Sequence, residues 1–456
     1  MKNRPFPFVV IFLAIYLILT YMLCFPPSDQ LVYEEQKNVV DDDVTSSFSS
    51  PSSCLVPNDD VNSNEERYMT YLPHSGFHNQ RNSLENAVFL SWMLNRTLIM
   101  PPILFSKKNY IPYRPFEVLY DMLNGNLTKS TRLCEIRGVE DQSCKFTQLD
   151  WEELLNFEFI KKHIRYIYRN DTKFDVKELY SYLNITNPET QVYTLADETR
   201  YDFQYYDDEN ITQVSNENFK YLIHLCSLRK RKDKLIHFGS IYHTLRFNLK
   251  YQENIEFINS VRESMIINHP ALLDVGEKIS KQLGGKGAYI GVHMRLGDNG
   301  LDRKFGAKAE ENVDQIIKKL LNESQTTPLD VGEVYLAKDL FPEGTTIYAE
   351  ECLRSITPEQ RHLPIIYLAS DKPRKDPRIK KFLREFPCVF MLSSNFTKYL
   401  SALRKIKNPR DGALLFQYFV PFIDGIVAAR GGKFIGTPES TFSDYVDRLH
   451  HSWVGS

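Results

Sequence analysis

From Tyr68 onward, short apolar runs alternate with longer stretches in which apolar residues recur at helical spacing. Tyr68-Met-Thr-Tyr-Leu72 reads as a strand and the polar segment Pro73–Arg81 as a loop. Asn82–Asn95 reads as a helix, with Leu84, Val88 and Trp92 at helical spacing. Thr97-Leu-Ile-Met100 is a second strand, stopped by Pro101-Pro102. Strand, glycine-bearing loop, helix and strand form the βαβ unit of a Rossmann-like parallel sheet. A second series follows: strands at 288–295, 364–369, 388–392 and 433–436, with helices at 413–429 and near 441–450.

The pattern predicts an α/β protein of two facing Rossmann-like domains, 67–260 and 261–456, bridged by one or two helices within 251–284. Leu235–Ser240 reads as a strand leaving a turn. Between 103 and 235 the chain is polar, rich in Tyr and Asn, and gives clear helical signals only around 149–163 and 175–182. The basic run Arg229–Lys232 reads as an exposed loop. No internal repeat is visible.

The N-terminus has a different character. Residues 6–25, FPFVVIFLAIYLILTYMLCF, form an uncharged apolar run of the ~20 residues that span a bilayer. Lys2 and Arg4 precede it, whereas Asp29, Glu34 and Glu35 follow, which orients the C-terminal part away from the cytosol. The run is longer than a signal-peptide core and is followed by no small-residue cleavage motif. We therefore expect a cytosolic tail at 1–5, a transmembrane signal anchor at 6–25, and a flexible Ser/Asp/Asn/Pro-rich stem at 26–66 that cannot bury enough apolar surface to fold.

Composition narrows the class. The 456-residue chain carries a net charge of −2, 25% charged and 13% aromatic residues, a pI near 6.6 and a mean hydropathy of −0.37. That excludes a multi-span membrane protein and disfavours a nucleic-acid binder, which would be basic. Sequons at Asn95, Asn126, Asn170, Asn184, Asn210, Asn322 and Asn395 fit a secretory route. Cys24 lies in the apolar run, leaving six cysteines; Cys134–Cys144 and Cys352–Cys388 are the most local pairs, and no CxxC spacing suggests zinc.

Ligands of open α/β sheets bind beyond the carboxyl ends of the strands, so the polar residues there carry the chemistry. In Gly291-Val-His-Met-Arg-Leu-Gly-Asp298 an apolar strand acquires His293 and Arg295 on one face. Arg295 offers a fork of donors suited to phosphate oxygens. Gly297 permits a turn, and Asp298 is placed to orient Arg295 or cap that turn. In Gly436–Val446 a strand leads into Ser440-Thr-Phe-Ser443, which opens a helix. Its N-terminus is either an anion site or an ordinary cap. An arginine fork and a helix start in the same half suit a diphosphate. Gly76–Arg81 has one glycine and no GxGxxG pattern; Asn79 and His78 are placed to reach across a cleft. Asp371 ends a strand. Asp424 interrupts an apolar helix, where a carboxylate needs a partner or a ligand. GxSxG, HExxH and P-loop motifs are absent.

These elements, in this order, resemble the GDP-fucose O-fucosyltransferase family. The resembling segments are LPHSGFHNQRNSLENAVFLSWMLNRTLIMPP at 72–102, LIHFGS at 235–240, GVHMRLGD at 291–298, LASDKPR at 368–374 and FIDGIVAARGGKFIGTPESTFSDYVDRL at 422–449. The resemblance implies a GT-B fold and inverting, metal-independent transfer of fucose from GDP-β-L-fucose to a hydroxyl of a protein or glycan. It places guanine on His293 and Asp424, the pyrophosphate and leaving GDP on Arg295, and further nucleotide contacts on Ser440, Thr441 and Phe442. Gly76 and Asn79 face the sugar and acceptor. No cofactor or metal is implied, and an endoplasmic reticulum or Golgi lumen is the expected site.

One position departs from the family pattern. Some members carry a glutamate base just before the Gly-Phe of the first loop, where this chain has Ser75. The base is therefore unassigned, with His74, His78 and Glu85 as candidates. A different nucleotide sugar or a polysaccharide acceptor remains the alternative enzyme reading, and an inactive lectin-like membrane protein is the non-enzymatic one.

Overall fold

Two parallel sheets organise the chain, and each carries its polar loops at the point where strand order reverses. The computed structural model describes residues 65–105, 111–124, 146–169, 176–297, 302–326, 348–360 and 362–455. The apolar run 6–25, nearly all of the stem, Cys134–Cys144 and Asp298 lie outside them. Among the described residues, no helix is long and apolar enough to cross a membrane.

The first sheet contains β1 (Tyr68–Tyr71), β2 (Thr97–Met100), β3 (Tyr166–Tyr168), β4 (Val192–Leu195) and β5 (Leu235–Phe238), in the order β3-β2-β1-β5-β4. All neighbours are parallel; Tyr68 pairs with Thr97 on one side and Leu235 on the other. The loops after β1 and β5 therefore sit side by side where the order switches. Between β1 and β2 runs α1 (Phe77–Leu94). Its start differs from the expected Asn82. Gly76 caps it in an extended conformation, φ −80° and ψ 176°. The first turn was hidden because it buries polar side chains: Gln80 Nε2 donates to the Ser75 and Leu104 carbonyls, and its Oε1 accepts the Leu104 N–H. Asn79 and His78 thus stand on a helix rather than on a loop.

The bridge is two helices, α2 (Gln252–Ser264) and α3 (Pro270–Gln282), with Pro270 at the first turn of the second. The second sheet holds β6 (Ile290–Met294), β7 (Ile366–Ser370), β8 (Val389–Phe390) and β9 (Lys433–Ile435), again parallel, in the order β8-β7-β6-β9. Helices α4 (Phe416–Ala429) and α5 (Thr441–Val454) pack beside it.

The segment 103–235 is more ordered than its sequence suggested. It contains the edge strand β4, a helix at Phe116–Asn124, a parallel three-stranded sheet shared with Phe247–Asn248, and an antiparallel pair, Ile103–Phe105 with Thr147–Leu149. The expected helix over 149–163 is instead a single turn at Trp151–Glu153 and a short helix at Glu158–His163. The strands here mix polar and aromatic residues, as in Tyr166-Ile-Tyr168 and Phe203-Gln-Tyr-Tyr206, and lack the apolar run that marks β2.

Alternation along β6 divides its neighbours. Ile290, Val292 and Met294 enter an apolar cluster with Val313, Ile316, Leu320, Ile379 and Phe382. Gly291 and His293 face the other way. Gly291 is required there: a Cβ would lie 1.9 Å from the Ala428 carbonyl oxygen, so α4 rests directly on the strand. A larger cluster is continuous from α1 through α2 and α3 to α4 and α5, including Val88, Phe257, Val275, Ile426 and Leu449. The two sheets therefore share a core. The expected Cys352–Cys388 disulfide is present, and Cys226 is also disulfide-bonded.

Candidate active site

The carboxyl ends of β6 and β9 present one connected polar group. His293 ends the inner face of β6 and is 7% exposed. Its Nδ1 lies 2.7 Å from Ser443 Oγ, which also accepts the Thr437 N–H at 2.9 Å. His293 Nδ1 and Thr437 thus meet at the Ser443 hydroxyl. Burial, helped by the Arg295 cation, pushes the His293 pKa down to about 3, so the imidazole is neutral. With Nδ1 already bonded to Ser443, the ring has Nε2 left to meet a base or sugar.

Thr437 ties this group to Arg295. Its Oγ1 donates to the His293 carbonyl at 2.9 Å and accepts the Arg295 N–H at 3.0 Å. Gly297, at φ 122°, makes the expected turn. Asp371 Oδ1 accepts the Leu296 N–H at 2.9 Å, so this candidate fixes the loop that carries Arg295. The backbone at Arg295 is thereby held from both neighbouring strands.

At the start of α5, Ser440 is the N-cap: its Oγ accepts the Ser443 N–H at 3.3 Å, and the side chain is 1% exposed. The capping role accounts for that hydroxyl. Phe442 lies on His293, ring centroids 4.4 Å apart, and on His78 at 5.2 Å. Thr441 Oγ1 donates to Asn79 Oδ1 at 3.1 Å, joining α5 to α1 across the two halves. Gly76 opens on unfilled space, since a Cβ there would meet nothing within 4 Å. Its backbone does not need glycine, but an approaching ligand has room.

Asp424 sits on α4 beside Gly425, against which the Phe442 ring rests. Tyr367 Oη donates to its Oδ1 at 2.7 Å, and burial raises the carboxyl to about pKa 7 despite that bond. Its partner is thus internal, and its second oxygen remains the candidate for a ligand. Among the described residues, no three His, Cys, Asp or Glu side chains gather as metal ligands do.

Two base candidates change standing. Glu85 is fully buried and paired with both Arg81 and Arg448, the latter at 2.7 Å, and Arg81 lies 4.4 Å over the Tyr445 ring. This cluster fastens α1 to α5 and has no reach to a substrate. His78 is wedged among Phe77, Phe422, Phe442 and Tyr445, where burial drives its pKa far down. Ser443 and Thr437 were not chosen from sequence. Both lie in the hydroxyl-rich Gly436–Ser443 string, which signals donors without telling which oxygen meets which partner.

Gly436 shows how tightly the group is set: a Cβ would lie 2.7 Å from Ser443 Cβ and 2.9 Å from its Oγ. Gly436→Ala should displace Ser443 from His293, cost about 1–3 kcal/mol in stability, and weaken GDP binding. Calorimetric titration with GDP beside a denaturation curve checks both.

Comparison with known proteins identifies the family. The family described as GDP-fucose protein O-fucosyltransferase matches residues 68–451. O-fucosyltransferase 30 of Arabidopsis thaliana is 51% identical over 39 residues, a stretch covering 9% of this chain and only 8% of that protein. Among solved structures, POFUT1 in complex with GDP aligns over 85% of this chain and 95% of its own, at 13% identity and a TM-score of 0.38. NodZ α-1,6-fucosyltransferase soaked with GDP-fucose aligns over 84% and 93%, at 13% identity and a TM-score of 0.35. The match over 68–451 takes in both parallel sheets and every site element described above: the chain belongs to the GDP-fucose protein O-fucosyltransferase family.

Proposed function

We propose that the protein is an inverting, metal-independent glycosyltransferase of GT-B type that moves fucose from GDP-β-L-fucose to a hydroxyl of a secretory-pathway protein or glycan. The observation that carries this reading is the joining of His293, Ser443, Thr437 and Arg295 into one group at the switch point of the second sheet. In that reading His293 and Asp424 hold guanine, with Phe442 beside them. Arg295 and the N-terminus of α5, which carries Ser440 and Thr441, receive the diphosphate. Gly76 and Asn79 border the sugar. Negative charge developing on the departing GDP would be stabilised by these fixed donors.

A lumenal setting, with residues 6–25 as a type II anchor and 26–66 as a stem, accords with the Cys352–Cys388 disulfide. The sequons at Asn95, Asn184, Asn210 and Asn322 are exposed, as glycan acceptors must be. Thermal shifts of the full-length protein with GDP, UDP and ADP test the donor. Stabilisation by GDP alone is the expected result; a preference for UDP or ADP would replace the donor with another nucleotide sugar.

Asp424 gives this reading a pH signature. Its folded pKa of about 7 lies above the ordinary carboxylate value, so the group is protonated below that pH and charged above it. With Oδ1 bonded to Tyr367, Oδ2 meets the guanine edge, and it accepts an N–H far more strongly as carboxylate than as acid. GDP affinity should rise between pH 6 and 8, approaching tenfold per unit below the pKa, and Asp424→Asn should abolish the slope. Titrations across that range measure it.

A further inference from the structure

The position that departs from the family pattern is the end of a buried hydrogen-bonded chain. Ser75 follows β1 in the left-handed region, at φ 67°. Its backbone is fixed on both sides, the N–H donating to the Ile111 carbonyl at 2.6 Å and the carbonyl accepting Gln80 Nε2 at 3.1 Å. Ser75 Oγ lies 2.8 Å from His74 Nδ1, and His74 Nε2 lies 2.7 Å from Ser240 Oγ, just past β5. The Ser240 N–H donates to Asp197 Oδ2 at 3.1 Å, which also accepts the Tyr113 hydroxyl at 3.1 Å. His74 is 0% exposed and Ser240 and Asp197 are each 3% exposed, whereas Ser75 adjoins the open space at Gly76. The chain thus runs inward from the switch point of the first sheet. Tyr242 lies edge-on to His74 at 5.9 Å.

Resting on the proposed fucosyl transfer, we infer that Ser75 Oγ receives the acceptor hydroxyl's proton while Ser75 passes its own proton to His74 Nδ1. As the bond from acceptor oxygen to fucose C1 forms, the bond from C1 to the diphosphate oxygen breaks and its electron pair leaves with GDP. The acceptor proton moves to Ser75 Oγ, the Ser75 proton moves to His74, and the imidazolium later returns it to solvent. His74 Nε2–H remains bonded to Ser240, which fixes the tautomer. Burial, with Arg200 and Arg246 nearby, lowers the His74 pKa to about 3, making it a weak base. A weak base suffices, because an alcohol oxygen bonding to an oxocarbenium-like carbon becomes far more acidic than a free alcohol.

The test uses the full-length protein with GDP-fucose and water as acceptor. Ser75→Gly removes the hydroxyl, and glycine is at home at this φ. GDP release should fall about 10²-fold with GDP affinity and melting temperature unchanged, and the solvent deuterium isotope effect of the unmodified protein should disappear. His74→Gln, which keeps a polar partner for Ser240 but not for Ser75, should behave alike. An active unmodified protein whose Ser75→Gly variant turns over within twofold of it overturns the inference. A protein that binds no GDP sugar at all overturns the fucosyl-transfer reading instead.

Discussion

Arg295→Ala should lower GDP release from GDP-fucose by about 10²–10³-fold, equivalent to about 2.7–4 kcal/mol of lost transition-state stabilisation. The guanidinium stands at the end of β6, and its backbone is held by Thr437 Oγ1 and, one residue on, by Asp371. This mounting fixes the strand end that carries the fork. Charge on the diphosphate grows as the glycosidic bond breaks, so a cation there acts more on the transition state than on bound GDP-fucose. The loss should therefore fall on kcat more than on GDP affinity. Arg295→Lys should recover only part of it, since an ammonium keeps the charge and loses the bidentate geometry. The backbone contacts to Thr437 and Asp371 survive loss of the side chain, so the variant should remain folded. Steady-state rates, GDP titration and a melt, run on all three proteins, separate these effects.

Glu85→Ala should have the largest effect on stability, about 3–5 kcal/mol. Glu85 is 0% exposed and shared between Arg81, 1% exposed, and Arg448. Removing it leaves two guanidiniums, one of them fully buried, with no carboxylate between them. Burial alone would raise the Glu85 pKa, but Arg81, Arg448 and Arg262 together hold it below the usual value. A lowered folded pKa means that this stabilisation is present above the unfolded pKa and is lost as pH falls through the folded one. The intact protein should therefore lose stability on acidification more steeply than Glu85→Ala. Because the triad links α1 to α5, the variant should also loosen the Asn79–Thr441 contact and weaken GDP binding. Breaking the exposed Asp274–Lys278 pair is the control, expected to change stability by less than about 1 kcal/mol. Denaturant titrations at neutral and acidic pH report both quantities.

What was readable in the sequence and what was not follow from the range of the interactions. The strand that carries His293 stood out because an apolar run ends in polar residues, and α4 and α5 because their apolar faces are long. The Ser440 cap was equally visible as a local signal. The first turn of α1 was not, since Gln80 and Arg81 satisfy their polarity with partners that no local pattern reveals. The same holds for Asp424 and Tyr367, 57 residues apart, and for Glu85 and Arg448, 363 apart. Strands between 103 and 235 such as Phe203-Gln-Tyr-Tyr206 escaped because their polar and aromatic residues form no apolar run. Ser75 drew notice only as an absent glutamate; its link through His74 to Ser240 joins loops 166 residues apart.

The most direct test of the central claim is GDP release from GDP-fucose by the full-length protein in the presence of EDTA, with a mixed pool of protein and glycan acceptors and Arg295→Ala run beside it. The account predicts turnover that survives the chelator and is lost in the variant. A folded protein that neither binds nor turns over any GDP sugar, or one whose turnover is indifferent to Arg295, would contradict it.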